Sequence, residues 1–189
     1  MNSNLINLIS QAEIANAVRR LGLELERDYQ DRSLVLIGIL KGSFIFLADL
    51  AREINLTDTN IEFLRLSSYG SSMVSSGRAK ITMSPSPKAI AGKNVVLVED
   101  IVDTGITTNT ALQYLQNFQP ASLRLCALLD KPSRRQVSVK IDYLGFKVED
   151  LFIVGYGIDF NQKYRQLPDI YYLEEHPSNN LESPNNPID

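Results

Sequence analysis

Short apolar runs alternate along the chain with longer segments in which apolar residues recur at helical spacing. The runs Leu34–Leu40, Val95–Val98 and Leu123–Leu129 are rich in branched aliphatic residues and predict strands buried on both faces. Phe44–Ile54 and Thr107–Phe118 each follow one of these runs and predict amphipathic helices. Because strand and helix patterns alternate, we predict an α/β fold with a mainly parallel twisted sheet flanked by helices.

Further elements extend this pattern toward both ends of the chain. Ser10 and Glu13 have the spacing of a capping box, and the apolar residues that follow predict a first helix. Ile61–Leu66 and Leu151–Val154 predict two more strands. The Ser- and Gly-rich stretch at about residues 68–80 is too polar to pack by itself, which indicates a flexible loop within the domain.

The length and composition are those of one globular domain. The chain has 189 residues, which is enough for a single hydrophobic core. We expect residues 1–175 to form one domain. The polar segment at residues 176–189 has few apolar residues to bury, so we expect a disordered tail there.

The composition also disfavours several classes of protein. The single cysteine, Cys126, excludes a disulfide framework and lies in an apolar run where a free cysteine usually packs. The first residues lack a secretory pattern, and no segment approaches the roughly 18 apolar residues that span a bilayer. A net charge of −3 without long basic runs disfavours nucleic-acid binding. We therefore expect a cytoplasmic protein without membrane or nucleic-acid partners.

The segment Val95–Thr108 carries the most informative chemistry. Its strand pattern ends at two successive acids, Glu99 and Asp100, and ligands of open α/β sheets bind at the carboxyl ends of strands. The Asp-Thr-Gly tripeptide that begins at Asp103 then leads into a helix. A glycine, hydroxyl groups and the free N–H groups of a helix start can cradle a phosphate. Paired acids suit ribose hydroxyls and Mg²⁺, so the expected ligand is a phosphorylated sugar.

A simpler interpretation of this segment is also open. Glu99 and Asp100 would then be solvated loop acids, and Thr107 or Thr108 would only cap the helix. A lone Asp-Thr-Gly tripeptide favours that interpretation. The ordered combination of strand, acidic pair, apolar pair, Asp-Thr-Gly and threonine favours a phosphate site.

The same segment resembles the phosphoribosyl-pyrophosphate motif of type I phosphoribosyltransferases, specifically their hypoxanthine-guanine branch. The similarity extends over about residues 34–173 and includes four further segments in family order: Leu40–Ser43, Ser67–Gly70, Leu129–Pro132 and Val154–Asp159. The resemblance implies that family's fold with a small hood, and Mg²⁺ as cofactor. It implies transfer of phosphoribosyl from phosphoribosyl pyrophosphate to hypoxanthine or guanine, by a homodimer or homotetramer.

The resemblance also implies a role for individual residues. Asp103 would manage the proton at N7 of the purine, while Ser68 and Tyr69 would open a loop that covers the site. The ribose and phosphate would be bound by Glu99, Asp100, Asp103, Thr104, Gly105, Ile106 and Thr107. Pyrophosphate would be bound by Lys41, Gly42 and Arg165, and the purine by Lys131, Phe152, Ile153 and Asp159. The expected metal ligands are Glu99, Asp100 and Asp159.

Lys131 carries the prediction about the base. An ammonium group can only donate hydrogen bonds, so it would select a 6-oxo acceptor and disfavour the 6-amino donor of adenine. Taken alone, Lys131 has the pattern of a solvated loop lysine. Phe152 and Ile153 would by themselves be core residues, and Tyr69 would cover a sheet edge.

Two alternative functions follow from the same residues. One is a regulator with this fold that senses nucleotides and binds RNA or DNA, which the acidic net charge disfavours. The other is a transferase for xanthine or a pyrimidine, which would differ only in the base pocket.

Ile106 also stands where some relatives carry lysine, so phosphate affinity would rest on backbone amides and threonines.

Overall fold

The computed structural model describes residues 4–68 and 79–174, which contain nine strands and four helices. The strands are β1 (Asn4–Ile9), β2 (Leu34–Leu40), β3 (Thr59–Ser68), β4 (Ala79–Met83), β5 (Asn94–Val102), β6 (Ser122–Asp130), β7 (Tyr143–Lys147), β8 (Ile153–Val154) and β9 (Ile170–Glu174). The helices are α1 (Gln11–Tyr29), α2 (Phe44–Arg52), α3 (Pro87–Ile90) and α4 (Ile106–Gln116). A single 3-10 turn follows β6 at Pro132–Arg134.

A six-stranded sheet forms the centre of the described chain, in the order β4-β3-β2-β5-β6-β7. β3, β2, β5, β6 and β7 are parallel to their neighbours, whereas β4 pairs antiparallel with β3. Helices α1 and α2 contribute to the core on one face of the sheet, and α4 contributes to the core on the other. The predicted α/β fold with a mainly parallel sheet is therefore confirmed.

The buried strands explain why both faces of the sheet are covered. In β2, Leu34 and Leu36 belong to the core under α1 and α2, while Val35 and Ile37 belong to the core under α4. Successive side chains of a strand point to opposite faces, so a continuous apolar run fills both cores.

Before α1, the Ser10 amide donates to the Glu13 carboxylate at 2.9 Å, and the Ser10 hydroxyl accepts from the Glu13 amide. This is the predicted capping box.

A second, antiparallel sheet has the order β1-β9-β8 and corresponds to the expected hood. The strand predicted at Leu151–Val154 is wrong in extent, because only Ile153 and Val154 pair, and their partner is β9 of the hood. The hydrophobic pattern also fails to predict β1, β4, β7 and β9. These strands are five or six residues long, and their pairing depends on partners distant in sequence.

The ends of the predicted flexible loop belong to strands. Ser68 is the last residue of β3 and pairs with Ala79, while Lys80 of β4 pairs with Ser67. The segment between them and the predicted tail at residues 176–189 lie outside the described residues. Two helices differ from their predicted bounds, since α2 ends at Arg52 and α4 runs over Ile106–Gln116.

A polar network ties the end of α1 to β6 and β7. Arg124 donates to Asp28 at 2.8 Å and to the Tyr143 hydroxyl at 2.6 Å, and that hydroxyl donates to Asp28 at 2.9 Å. The Tyr143 hydroxyl is the main reason that the pKa of Asp28 is lowered, with smaller contributions from Arg27 and Arg124. The Asp28 carboxylate is therefore stabilised more in the folded chain than in the unfolded chain.

Asp28→Asn should lower the free energy of unfolding at pH 7 by about 1–2 kcal/mol, because a charged acceptor is lost from the network. The folded pKa of Asp28 lies below its unfolded value of about 3.9. Its contribution is therefore present above about pH 4 and is lost as the pH falls through the folded pKa. Denaturant unfolding at pH 7 and at pH 3 should show the difference from wild type shrinking at the lower pH.

The matched control is Asp31→Asn, which removes an exposed carboxylate three residues further along. It should change the free energy of unfolding by less than about 0.5 kcal/mol at either pH. An equal loss in the two variants at pH 7 would contradict the stabilising role of the network.

Candidate active site

Three loops that follow parallel strands lie along one edge of the main sheet. The loops after β2, β5 and β6 carry Lys41, Asp103 and Lys131 respectively. Adjacent parallel strands end on the same side, so the sheet brings these loops together as the sequence predicts. The hood adds residues after β8, including Asp159 and Arg165, to the same region.

Glu99 and Asp100 belong to β5 itself, which corrects the expectation that they follow the strand. Pairing with β6 continues to Val102, and the two acids are only 6% and 9% exposed. They are therefore not solvated loop acids. Burial raises the pKa of Asp100 to about 6, although hydrogen bonds from the backbone amides of Ile101 and Asp100, and then the charge of Arg165, act in the opposite direction.

Glu99 carries a second buried carboxyl group. Burial, and then the negative charge of Asp100, raise its pKa well above the ordinary value. Its Oε2 atom has no hydrogen-bond partner in the described part of the chain. A buried polar atom without a partner is costly, so the end of β5 suits ligands that bring hydroxyl donors or positive charge.

The loop after β2 packs directly against Asp100. A Cβ atom on Gly42 would overlap the Asp100 carboxylate, so only glycine allows the backbone to approach this closely. The peptide bond between Leu40 and Lys41 is cis. The Ser43 hydroxyl is buried and donates to the Ile39 carbonyl at 2.8 Å. The loop therefore has a defined position next to the buried acid.

Two cations and an acid from the loop and the hood lie close together. Arg165 pairs with Asp159 at 2.6 Å and donates to the Gly157 carbonyl at 2.7 Å. Lys41 donates to the side-chain oxygen of Gln162 at 3.0 Å, and the backbone amide of Gln162 donates to Asp159 at 2.8 Å. The predicted residues Lys41, Asp159 and Arg165 are thus brought together. Gln162, which connects them, has no motif that sequence analysis could have used.

The start of α4 has the form expected of an anion cradle. Gly105 precedes the helix with a φ of 82°, and none of the described side chains caps the helix at this residue. The Ile106 amide approaches the Thr104 hydroxyl at 3.4 Å, and Thr107 is exposed at the helix start. Thr108 is instead 2% exposed and belongs to the interior. Free amides at a helix N-terminus favour negative charge.

The segment after β6 holds in place the loop between β5 and α4, residues 103–105, which we call the phosphate loop after its predicted ligand. The Thr104 carbonyl accepts hydrogen bonds from the Gln136 amide at 2.9 Å and the Val137 amide at 3.0 Å. A Cβ atom on Gly105 would overlap the Val137 carbonyl, which together with the positive φ requires glycine. The phosphate loop and the loop that carries Lys131 therefore form one packed unit.

A buried lysine in the loop after β6 contacts the segment that carries an exposed aromatic ring. Lys131 is 7% exposed and donates to the Leu151 carbonyl. Burial lowers its pKa, while Asp103 and Asp150 act in the opposite direction. Phe152 is 49% exposed, and its ring packs edge-on against Phe160 with centroids 5.1 Å apart. Lys131 is therefore not a solvated loop lysine, and Phe152 is not a core residue. Ile153, by contrast, is buried and only 5% exposed.

Asp103 is more exposed than Glu99, Asp100 and Asp159, and it has an ion-pair partner that the sequence did not predict. Its carboxylate lies 2.9 Å from Nε of Arg134, with side-chain exposures of 41% and 46%. The same guanidinium donates to Asp150 at 3.4 Å. Arg134 was missed because its position in a basic pair suggests only a surface residue, and its contacts depend on the fold.

Two predicted loop residues fall at or beyond the end of β3. Tyr69 lies outside the described residues, and Ser68 is described only by its backbone position at the end of that strand.

Within residues 4–68 and 79–174, no three His, Cys, Asp or Glu side chains are close enough to hold a metal ion by themselves. None of the described helices has the length and apolar character needed to cross a bilayer.

Comparison with known proteins identifies the family. Residues 7–161 match the model of the phosphoribosyl transferase domain. Hypoxanthine phosphoribosyltransferase of Escherichia coli is 44% identical over 163 residues, which cover 85% of this chain and 90% of that protein. Hypoxanthine-guanine phosphoribosyltransferase of Bacillus subtilis is 41% identical over 167 residues, which cover 88% of this chain and 92% of that protein.

A solved structure gives the same result. The crystal structure of a hypoxanthine-guanine phosphoribosyltransferase from Bacillus anthracis superimposes with a TM-score of 0.83 at 40% identity, and covers 92% of this chain and 100% of that chain. The loops at the sheet edge, the hood and these similarities agree with the resemblance of the sequence motifs. The chain therefore belongs to the phosphoribosyltransferase family, in its hypoxanthine-guanine branch.

Proposed function

We propose that the protein transfers the 5-phosphoribosyl group of phosphoribosyl pyrophosphate to hypoxanthine or guanine and releases pyrophosphate, a reaction of purine salvage. The observation that carries this proposal is the set of sites along one sheet edge. An anion cradle at Gly105, a cationic cluster of Lys41 and Arg165, and the buried Lys131 with Phe152 are formed by loops at this edge and by the hood. Each suits a different part of the two substrates.

The leaving pyrophosphate fits the cluster around Arg165. As the bond from pyrophosphate to ribose breaks, negative charge grows on the leaving group, and fixed donors lower the barrier to its departure. Lys41 and Arg165 supply two cations, and the Gly42 amide adds a neutral donor. Lys41 and Arg165 now bind Gln162 and Asp159, so pyrophosphate would replace protein acceptors. At the other end, the 5-phosphate would occupy the cradle formed by Thr104, Gly105, Ile106 and Thr107.

The acids of β5 suit the ribose and its metal ion. Buried carboxylates with raised pKa values and an unpartnered Glu99 oxygen are suitable acceptors for ribose hydroxyls and oxygen ligands for Mg²⁺. Mg²⁺ commonly binds one or two carboxylates and completes its shell with water and substrate oxygens. We therefore propose Glu99, Asp100 and Asp159 as the residues that would hold Mg²⁺ together with the substrate. The ion would supply charge neutralisation at the pyrophosphate.

The base is recognised by donors of fixed type. Lys131 can donate to a 6-oxo group, Phe152 offers an exposed ring on which a flat base can stack, and the Ile153 backbone lies beside it. Asp103, at the start of the phosphate loop, would accept or return the proton at N7. Asp159 pairs with Arg165, which supports a role near the metal and pyrophosphate more than contact with the base. Ser68 and Tyr69 keep their proposed role in covering the site.

We expect a homodimer or homotetramer. On β3, Ile61 and Phe63 are exposed on the same face, and Met83 of β4 is opposite Arg65 on that face. Phe44, at the start of α2, is exposed as well. An apolar face of this kind is typical of a subunit interface. A cytoplasmic location remains our expectation, and it is consistent with the buried, unpaired Cys126.

The alternative functions receive less support. The Escherichia coli and Bacillus subtilis relatives carry the names of hypoxanthine or hypoxanthine-guanine transferases, which favours neither a nucleic-acid-binding regulator nor a xanthine enzyme. A xanthine enzyme would share the Lys131 contact, because xanthine also has a 6-oxo group. Turnover measured with a panel of bases that includes xanthine separates these possibilities.

Release of pyrophosphate should be observed with hypoxanthine or guanine, and far less with adenine or uracil, in a coupled assay with Mg²⁺ and phosphoribosyl pyrophosphate. Lys131→Ala should lower kcat/KM for the base by about 10²–10⁴, because the 6-oxo group loses its buried donor. Binding of phosphoribosyl pyrophosphate should change less than about threefold. Lys140→Ala, which removes an exposed lysine at Asp142, is the control. Equal losses in base use and phosphoribosyl pyrophosphate binding would reject the role of Lys131.

Asp100→Asn should abolish most activity and yet stabilise the free protein. Burial raises the folded pKa of Asp100 to about 6, against about 3.9 when unfolded, so folding takes up a proton between those values. The ionised carboxylate destabilises the fold above about pH 6, by roughly 3 kcal/mol at most. Asparagine removes this cost. Denaturant unfolding without Mg²⁺ or substrate should show a more stable variant at pH 7.5 and a smaller difference at pH 4.5.

Asp58→Asn is the control for this experiment, because Asp58 is exposed and precedes the opposite end of the sheet. Its stability should follow wild type at both pH values. If Asp100→Asn were instead destabilised at pH 7.5, the Asp100 carboxylate would be well compensated in the free protein, and the account of its burial as a cost to folding would be wrong.

Phe63→Glu should shift the protein toward monomer in light scattering coupled to size-exclusion chromatography, because a charge would be buried in the proposed interface. Leu23→Glu changes an apolar residue that is 58% exposed on α1, and it should leave the mass unchanged. Circular dichroism checks that both variants fold. An unchanged mass for Phe63→Glu would exclude this face as the interface.

A further inference from the structure

Arg134 has no role in the proposed mechanism. It nevertheless contacts Asp103, the acid proposed to handle the proton at N7. Nε of Arg134 lies 2.9 Å from Oδ1 of Asp103, at the start of the phosphate loop. The NH1 group of the same guanidinium lies 3.4 Å and 3.5 Å from the two carboxylate oxygens of Asp150. A single side chain therefore bridges the phosphate loop and the segment that leads to Phe152.

The local backbone sets the position of Arg134 relative to Lys131. Pro132 begins a 3-10 turn that ends at Arg134, and the Arg134 amide donates to the Lys131 carbonyl at 3.2 Å. Lys131 itself donates to the Leu151 carbonyl and lies 3.9 Å from Asp150. Both cations of this turn are thus attached to the same segment. Lys131 is buried there, whereas Arg134 reaches across to Asp103.

Oδ1 of Asp103 is buried and has no hydrogen-bond partner among the described residues, so its contact with Arg134 is an ion pair rather than a hydrogen bond. Arg134 is the one ion-pair partner of Asp103 in the described part of the chain, and the contact engages Oδ1. A planar guanidinium can face two carboxylates at once through different nitrogens, here Nε toward Asp103 and NH1 toward Asp150, which a single ammonium does less well. Oδ2 is then the oxygen available to a purine.

We propose that Arg134 is a positioning residue, which holds Oδ1 of Asp103 so that Oδ2 faces N7 of the base, while Asp150 anchors the guanidinium from the other side. The inference rests on the proton-handling role proposed for Asp103. Its effect is modest in size, because both side chains are nearly half exposed and such ion pairs are weak. The orientation of one oxygen nevertheless affects the reacting geometry, which is sensitive to small displacements.

A double-mutant cycle tests the coupling between Arg134 and Asp103. Arg134→Gln should lower kcat with hypoxanthine about five- to tenfold and change KM for phosphoribosyl pyrophosphate less than about twofold. Arg134→Lys should recover part of the loss, since it restores the charge but not the planar guanidinium. In the Asp103→Asn background, where turnover is already low, Arg134→Gln should cause no further loss.

Arg19→Gln is the control, because Arg19 forms a comparable exposed ion pair with Glu53 at 3.7 Å on another part of the surface. Its kcat should equal that of wild type. The inference is overturned if Arg134→Gln has wild-type kcat, or if it lowers kcat of Asp103→Asn by the same factor as kcat of wild type. Wild-type turnover by Asp103→Asn would reject the proposed role of Asp103 and this inference together. An impaired Asp103→Asn beside a fully active Arg134→Gln would reject this inference alone.

Discussion

The Asp100 carboxylate is buried at the end of β5 against the backbone of Gly42, and this contact places the loop that carries Lys41 beside the buried acids. A buried carboxylate is unfavourable unless hydrogen bonds or positive charge compensate it. Here compensation is incomplete, because the pKa of Asp100 is raised to about 6 and Glu99 has an unpartnered oxygen among the described residues. The free protein thus has carboxyl groups that are costly to ionise at the place where ribose hydroxyls and a metal ion would bind.

The parallel sheet makes this arrangement possible. Strands β2, β5 and β6 end at one edge, so a cationic loop, a phosphate cradle and a buried lysine come from three separate stretches of sequence. The hood supplies Arg165 and Asp159 from a fourth. Hydrogen bonds from Gln136 and Val137 to Thr104 connect the cradle to the base-side loop. The distance between the proposed phosphate site and the proposed base site is therefore set by the packing of two loops.

Sequence patterns were informative where local periodicity decides the structure. The apolar runs of β2, β5 and β6 and the capping box at Ser10 follow from residues close in sequence, and the structure contains all of them. The extent of β5 did not follow, because a hydrophobic pattern ends at Glu99 although the strand continues through both buried acids. Contacts such as Arg134 with Asp103, or Gln162 with Lys41, join residues that only the fold brings together. Their side chains have no distinctive spacing.

The buried acids of β5 are only partly compensated in the free protein, and the proposed coupling between substrate and metal binding at these acids can be measured directly. The measurement is a calorimetric titration of the protein with phosphoribosyl pyrophosphate, in the presence and absence of Mg²⁺. We expect binding that is at least about tenfold tighter with Mg²⁺, a difference of about 1.4 kcal/mol, and we expect Asp100→Asn to remove most of this gain. Equal affinity with and without Mg²⁺, or an undiminished gain in Asp100→Asn, would contradict the proposed role of the buried acids.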